Sequence, residues 1–347
     1  MSDALTQLLA ERPYVLADGA TGTNLFARGL ESGDAPELWN LEHPERIAAL
    51  HREMIDAGAD IVMTNSFGGS SYRLQLHGAQ DRVRELNIAA ARIARAVADE
   101  EAARLGRPIL VAGDLGPTGE LFEPLGPLTV AEASDAFEEQ AAALREGGAD
   151  ISWIETVSSI DELEAAVTGA ARVDLPIVCT LTFDTHGRTM MGVTPQAMVQ
   201  LCRETLTQPL AYGANCGVGP ADLVATISAM AAAGADQDIL VAKGNCGVPA
   251  FVDGAVHYDG TPETMAAYAR LSRDAGARII GGCCGTTAAH LRAIRDALDG
   301  YEPAGRPGLA EIVAALGEPS AGAAKLLAGD AAPREAGRPL RRRGARE

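Results

Sequence analysis

The sequence predicts an α/β fold, a single-domain (βα)8 TIM barrel over residues 1–300, on three observations. Short runs rich in Val, Ile and Leu alternate with longer Ala-rich stretches of helical period, the pattern of successive βα units. Prolines recur where first helical turns should begin, and a Gly-Ala-Asp or Gly-Ala-Arg sequence recurs just ahead of the strands. No GxGxxG follows the first apolar run, so the mark of a dinucleotide-binding open sheet is missing, and eight units close naturally into a barrel.

The strands read, in order, as "YVLADG" from Tyr14, "DIVMTNS" from Asp60, "PILVAGD" from Pro108, "DISWIET" from Asp150, "PIVCTLTF" from Pro176, "LAYGANC" from Leu210, "DILVAKGN" from Asp238 and "ARIIGGCC" from Ala277. Each precedes a helical stretch. Pro44, Pro195, Pro220 and Pro262 stand at first helical positions, with Thr194 and Thr261 as N-caps. Gly58, Gly148, Gly234 and Gly276 end helices in a left-handed conformation. After Leu298 the strands stop and Gly, Pro, Ala and finally Arg take over, ending in "RPLRRRGARE". Residues 301–347 are therefore expected to form a C-terminal extension of one or two short helices and then a disordered, solvated basic tail. The other reading of that tail is contact with an acidic partner or a membrane surface.

The 347 residues carry 29 Lys and Arg against 47 Asp and Glu, a formal net charge of −18. The clustered cations that a nucleic-acid backbone requires are mostly absent. No apolar run of about 18 residues exists, and "MSDALTQLLAERP" lacks the basic start and apolar stretch of a signal peptide. A cytoplasmic protein with no nucleic-acid and no membrane partner is expected. Its six cysteines are then core fillers, metal ligands or reactive thiols rather than a disulfide framework. Homo-oligomerisation is left open.

Barrel enzymes build their sites at the C-terminal ends of the strands. Those ends carry Asp18, Asn65, Asp114, Glu155, Phe183, Asn215 with Cys216, Asn245 with Cys246, and Cys283 with Cys284. Cys179, within a strand, and Cys202, within a helix, read as core. Adjacent cysteines are poorly placed to bond to each other, but they suit a soft metal. Cys216, Cys283 and Cys284 would supply three corners of a tetrahedron around zinc and leave the fourth open, as in a catalytic site. The alternative is that small cysteines simply fill the top of the barrel.

"GGCCGTT" together with "GANCGVGP" resembles the homocysteine S-methyltransferase family. So do "ADGATGTNL", "ELWNLEHPERI", "AGADIVMTNSFGG", "GDLGPTGE", "WIETVSSIDELEAAV" and "GRTMMGVTP", in the same order, over about residues 13 to 299. The resemblance implies a (βα)8 barrel with zinc on Cys216, Cys283 and Cys284, and a methyl transfer to homocysteine sulfur that forms methionine. It selects Asp18 and Glu155 for the substrate ammonium. Backbone N–H groups of Gly19 and Ala20, or those near Thr64, Asn65 and Ser66, are candidates for its carboxylate. No catalytic side chain is implied beyond the zinc-activated substrate thiol. Asn215 would orient the loop that bears Cys216.

One barrel leaves no room for attached cobalamin and folate domains, so the expected donor is a small onium compound, glycine betaine first. Trp39, Phe67 and Tyr72 are its candidate cation–π contacts, and Phe122, Phe183 and Tyr258 share their rim. Gly68 stands where betaine-specific members carry an aromatic. "DGATGT", "TNSF" and "GPTG" also resemble the homocysteine module of cobalamin-dependent methionine synthase. A freestanding module that works with a separate corrinoid protein is therefore the second reading, S-methylmethionine is another onium donor, and a zinc- or thiol-binding protein is the non-enzyme alternative. Cys246 departs from the family's small non-thiol residue. It is either a competitor for the open zinc position or a small residue under a loop.

Overall fold

The structure, a computed structural model, describes residues 3–329 except 205–206 and 253–254. Eight parallel strands form the barrel: β1 (Val15–Leu16), β2 (Ile61–Met63), β3 (Leu110–Leu115), β4 (Ile151–Val157), β5 (Ile177–Leu181), β6 (Ala211–Cys216), β7 (Leu240–Gly244) and β10 (Ala277–Gly282). Their order is β1-β10-β7-β6-β5-β4-β3-β2, and a parallel bridge between Ala17 and Ile61 joins the two ends of the row. All eight expected strands are present. The helix signals hold as well: Pro44, Pro195, Pro220 and Pro262 each open a helix, and the side chains of Thr194 and Thr261 accept from Ala197 N and Thr264 N.

Residues two apart on a strand share a face, which divides the molecule into two cores. Ala112, Trp153, Val178, Val241 and Ile279 belong to the inner one, whereas Val111, Ile154, Cys179 and Ile280 pack in the outer one with the helices. A helix at Ala4–Glu11, outside the sequence expectation, closes the inner core from below. Asp3 caps it by accepting from Thr6 N at 2.8 Å, and Leu5, Leu8 and Leu9, one helical face, join the inner cluster. Each is worth roughly 1.5–3 kcal/mol on full burial. Water therefore reaches the barrel axis from the strands' C-terminal side.

Two further differences concern the far end. Between β7 and β10 an antiparallel hairpin, β8 (Pro249–Val252) and β9 (Ala255–Tyr258), rises where the sequence suggested a loop. The extension forms the expected short helices, Leu309–Leu316 and Ala321–Leu327. They lie against the barrel's Pro220–Ala232 helix, with Ser320 N donating to Asp222 Oδ1 at 2.7 Å, and every residue from Pro220 to Ala231 is buried. The basic run from 338 to 347 lies outside the described residues. Among the described residues no helix is long and apolar enough to cross a membrane.

Candidate metal and substrate site

The inward face of each strand changes character as it reaches the top. Two positions beyond Ala112, Trp153 and Val241 stand Asp114 and Lys243, both buried, and Glu155, half-buried, at the floor of a cavity of about 390 Å3. Cys216, Cys283 and Cys284 line the same cavity, and their sulfurs lie within 4.8 Å of one another. Cys216 Sγ and Cys284 Sγ are 4.0 Å apart. Tetrahedral zinc with Zn–S of about 2.3 Å sets its sulfurs about 3.8 Å apart, so the trio fits zinc.

Backbone geometry brings the sulfurs together. Cys216 has φ 57° and Thr156 φ 63°, a region that side chains rarely enter and that surrounding bonds must hold. Asn215 holds both ends: its Oδ1 accepts from Thr156 N at 2.9 Å and Thr180 Oγ1 at 2.7 Å, while its Nδ2 donates to Thr156 Oγ1 at 2.7 Å and faces Cys283 Sγ at 3.8 Å. The Cys283 amide donates to Gly244 O at 2.7 Å, and Gly282 has no room for a side chain, since a Cβ there would come 2.3 Å from Thr286. The Tyr258 ring packs against Gly285, the residue after Cys284. Its contacts with Cys216 and Cys283 hold the Cys284 thiol far below its ordinary value, at about 3, while Cys283 and Cys284 beside it push Cys216 far above. Three sulfurs this close ionise together only around a cation.

Cys246 is not part of this cluster. Its amide donates to Cys284 O at 2.9 Å, but its thiol turns to Gly260 O at 3.3 Å, which agrees with the second of the two readings, a small residue under a loop. Cys179 and Cys202 are buried in the outer core, as expected.

Three acids share the floor with one lysine. Asp18 Oδ1 pairs with Lys243 Nζ at 3.0 Å and Asp18 Oδ2 accepts from Met63 N at 2.8 Å. Burial opposes the Lys243 charge, but Asp18 and Glu155 outweigh it and its pKa rises. Burial raises Asp18, against the pull of Lys243. It lifts Glu155 to about 8, and burial and then the Glu155 charge raise Asp114 well above the carboxylate range. Asp114 Oδ1 and Glu155 Oε2 are buried with no hydrogen-bond partner. Lys243 is thus the one cation facing three carboxyl groups here.

The amides suggested for a substrate carboxylate divide. Ala20 N donates to Thr286 O, Thr64 N to Ala112 O and Ser66 N to Thr64 O, which leaves those of Gly19 and Asn65. The Asn65 side chain is itself engaged, donating to Pro36 O and Asn40 Oδ1. Of the three aromatics named for the donor, Phe67 lines the cavity and Trp39 and Tyr72 do not. Trp39 is buried edge-on to His43 and under Arg46. Phe26, Glu37, Arg73 and His77 line the outer cavity instead. Glu37 explains Gly68: its Oε1 accepts from Gly68 N at 2.6 Å and occupies the space a side chain would need. Lys243, Glu37, Phe26 and the Thr156 turn escaped the sequence reading. For Lys243 the signal was present, since alternation along "LVAKG" puts it on the face of Val241.

A family model described as homocysteine S-methyltransferase matches residues 15–298. The methionine synthase of Mycobacterium tuberculosis is 33% identical over 315 residues, covering 85% of this chain and 25% of that protein. The methionine synthase of Mycobacterium leprae is 32% identical over 326 residues, covering 87% and 26%. The chain thus spans about a quarter of these relatives' length. Among solved structures, the homocysteine methyltransferase MmuM from Escherichia coli matches in its oxidized form with TM-score 0.71 and 26% identity, over 85% of this chain and 99% of that one. Its metallated form matches with TM-score 0.70 and 26% identity, over 84% and 99%.

Proposed function

Because the chain belongs to the homocysteine S-methyltransferase family, we propose that it is a zinc-dependent enzyme that methylates the sulfur of homocysteine to give methionine. The observation that carries this reading is one cavity holding three sulfurs within 4.8 Å beside buried carboxylate oxygens that lack partners. Cys216, Cys283 and Cys284 would hold the zinc, which supplies a thiolate at neutral pH in place of a thiol. The chain's own residues do the rest. Glu155, which lines the cavity, faces the substrate ammonium with Asp18 paired to Lys243 behind it, and the Gly19 and Asn65 amides suit its carboxylate. Asn215 fixes the Cys283 side of the trio, and the Ala4–Glu11 helix keeps water from entering below. A dry site strengthens each of these polar contacts.

For the donor we keep glycine betaine as the first reading. Phe67 and Phe26 offer apolar faces to a trimethylammonium group, and the Arg73 guanidinium in the same wall suits its carboxylate. With Trp39 and Tyr72 outside the cavity, the aromatic cage is smaller than expected. The second reading, a freestanding homocysteine module serving a separate methylated corrinoid protein, is supported by the methionine synthases of which this chain spans about a quarter. S-methylmethionine stays a third donor. A methyltransferase family leaves no place for the zinc-storage alternative. Six free cysteines fit a reducing compartment, the cytoplasm.

The test is methionine formation by zinc-loaded protein from homocysteine with each donor in turn. Betaine is expected to give product. Product from the methylated corrinoid protein alone selects the second reading, and product from none of them overturns the proposal.

A further inference from the structure

The C-terminal helix Ala321–Leu327 touches both flanks of the turn that carries Cys216. On one side the Ser320 amide donates to Asp222 Oδ1 at 2.7 Å, and Asp222 lies in the first turn of the Pro220–Ala232 helix, which begins just after that turn. On the other side its backbone crosses the loop that follows β5. A Cβ on Gly322 would stand 1.8 Å from His186 O, and one on Gly187 would stand 2.9 Å from Leu326 Cδ1 and 3.1 Å from Gly322 C. Only glycines let two main chains come so close. We propose that Gly322 and Leu326 are positioning residues of the metal centre: their helix is a strap that holds the β5 loop and the start of the Pro220–Ala232 helix, and through them the Cys216 turn. The inference rests on the zinc reading for its effect on the metal, and it gives the C-terminal extension a part in the site.

The β5 loop reaches the site through its neighbours, since none of residues 183–192 lines the cavity. Phe183, buried in the outer core, ends beside Gly217: a Cβ on Gly217 would lie 3.5 Å from Phe183 O, ordinary contact. Thr189 Oγ1 donates to Ser158 O at 2.6 Å, two residues past the strained Thr156. Strain also sits on both sides of the strap's reach, with φ 50° at His186 and 57° at Cys216. A non-glycine residue keeps such a backbone only while its surroundings hold it. For His186 that surrounding is the Gly322 main chain. Cys216 is the one ligand that comes from β6, whereas Cys283 and Cys284 follow a single strand end. A slack Cys216 turn therefore opens the sulfur triangle.

The test compares Gly322→Leu, which the close approach to His186 drives off the loop, with Leu326→Ala, which removes the contact on Gly187 and adds no bulk. Lys325→Ala, on the exposed side of the same helix, is the control. Zinc affinity is read by competition with a chromophoric chelator, and amide hydrogen exchange on metal-free protein, both below each variant's unfolding transition. Gly322→Leu should weaken zinc by about 10-fold, the lower end for residues that support a metal ligand, and should speed exchange selectively in residues 184–192 and 217–223. Leu326→Ala should move both readings the same way and less, and Lys325→Ala neither. A helix that only stabilises the fold would lower the unfolding temperature and leave the zinc affinity of the folded protein unchanged. That result, or exchange that rises evenly along the chain, overturns the inference. Wild-type protein that binds no zinc overturns the zinc reading, and exchange then tests the strap by itself: selective acceleration upholds it and an unchanged pattern refutes it.

Discussion

Replacing Cys283 by serine is expected to cut bound zinc from about one ion per chain to a small fraction and to remove methionine formation. Cys283 is the sulfur most firmly built in: its amide is bonded to Gly244 O, Asn215 faces its side chain, and Gly282 lets the backbone pass beneath Thr286. Loss of an outer partner of a metal ligand alone costs about 10- to 100-fold in affinity or activity. Loss of the ligand itself must exceed that, since a serine oxygen is neither ionised nor soft. Cys246→Ala is the control. That thiol turns to Gly260 O, so the zinc content should stay at the wild-type level. Metal analysis after dialysis checks both. A Cys283→Ser protein that keeps its zinc, or a Cys246→Ala protein that loses it, contradicts the assignment.

The largest effect on stability is expected at the opposite end of the barrel, from Asp60→Asn. The Asp60 carboxylate is fully buried and gathers Arg12 at 2.7 Å, Arg107 at 2.8 Å and Arg295 at 3.1 Å, besides accepting from Leu16 N at 3.0 Å. One side chain thus ties the N-terminal helix, β1, β2 and the last barrel helix, the elements where the row of strands closes. Removing its charge leaves three guanidinium groups facing a neutral amide. Breaking a buried pair costs about 3–5 kcal/mol. The lower end applies here, because the arginines are 19–27% exposed and can turn to water. Urea denaturation should therefore show a loss of about 3 kcal/mol, and Arg12→Met should lose less, since two cations remain. A loss below about 1 kcal/mol for Asp60→Asn, the size of a surface pair, would refute the hub.

The barrel was legible because its signals are local. An N1 proline or a left-handed glycine acts within a turn or two, and both recur at the predicted joints. The cysteine cluster was legible because strand ends of a parallel barrel converge on one rim, whatever lies between them in sequence. What sequence could not rank was which rim side chains turn inward. Trp39 and Phe67 looked alike as donor contacts, yet Arg46 and His43 enclose Trp39, and only tertiary packing decides that. Tyr258, expected only to share the rim of the donor aromatics, packs against Gly285 beside the cysteines, because a hairpin of two four-residue strands sets it there. Lys243 was passed over as a charge near the end of an apolar run. Alternation with Val241 marks it as inward, and its partner, Asp18, is 225 residues away.

Zinc-edge X-ray absorption of the zinc-loaded protein, recorded before and after homocysteine is added, tests the central claim most directly. The account predicts three sulfur neighbours at about 2.3 Å and a fourth once homocysteine is present. A shell dominated by nitrogen or oxygen, or a sulfur count that homocysteine leaves unchanged, would contradict it.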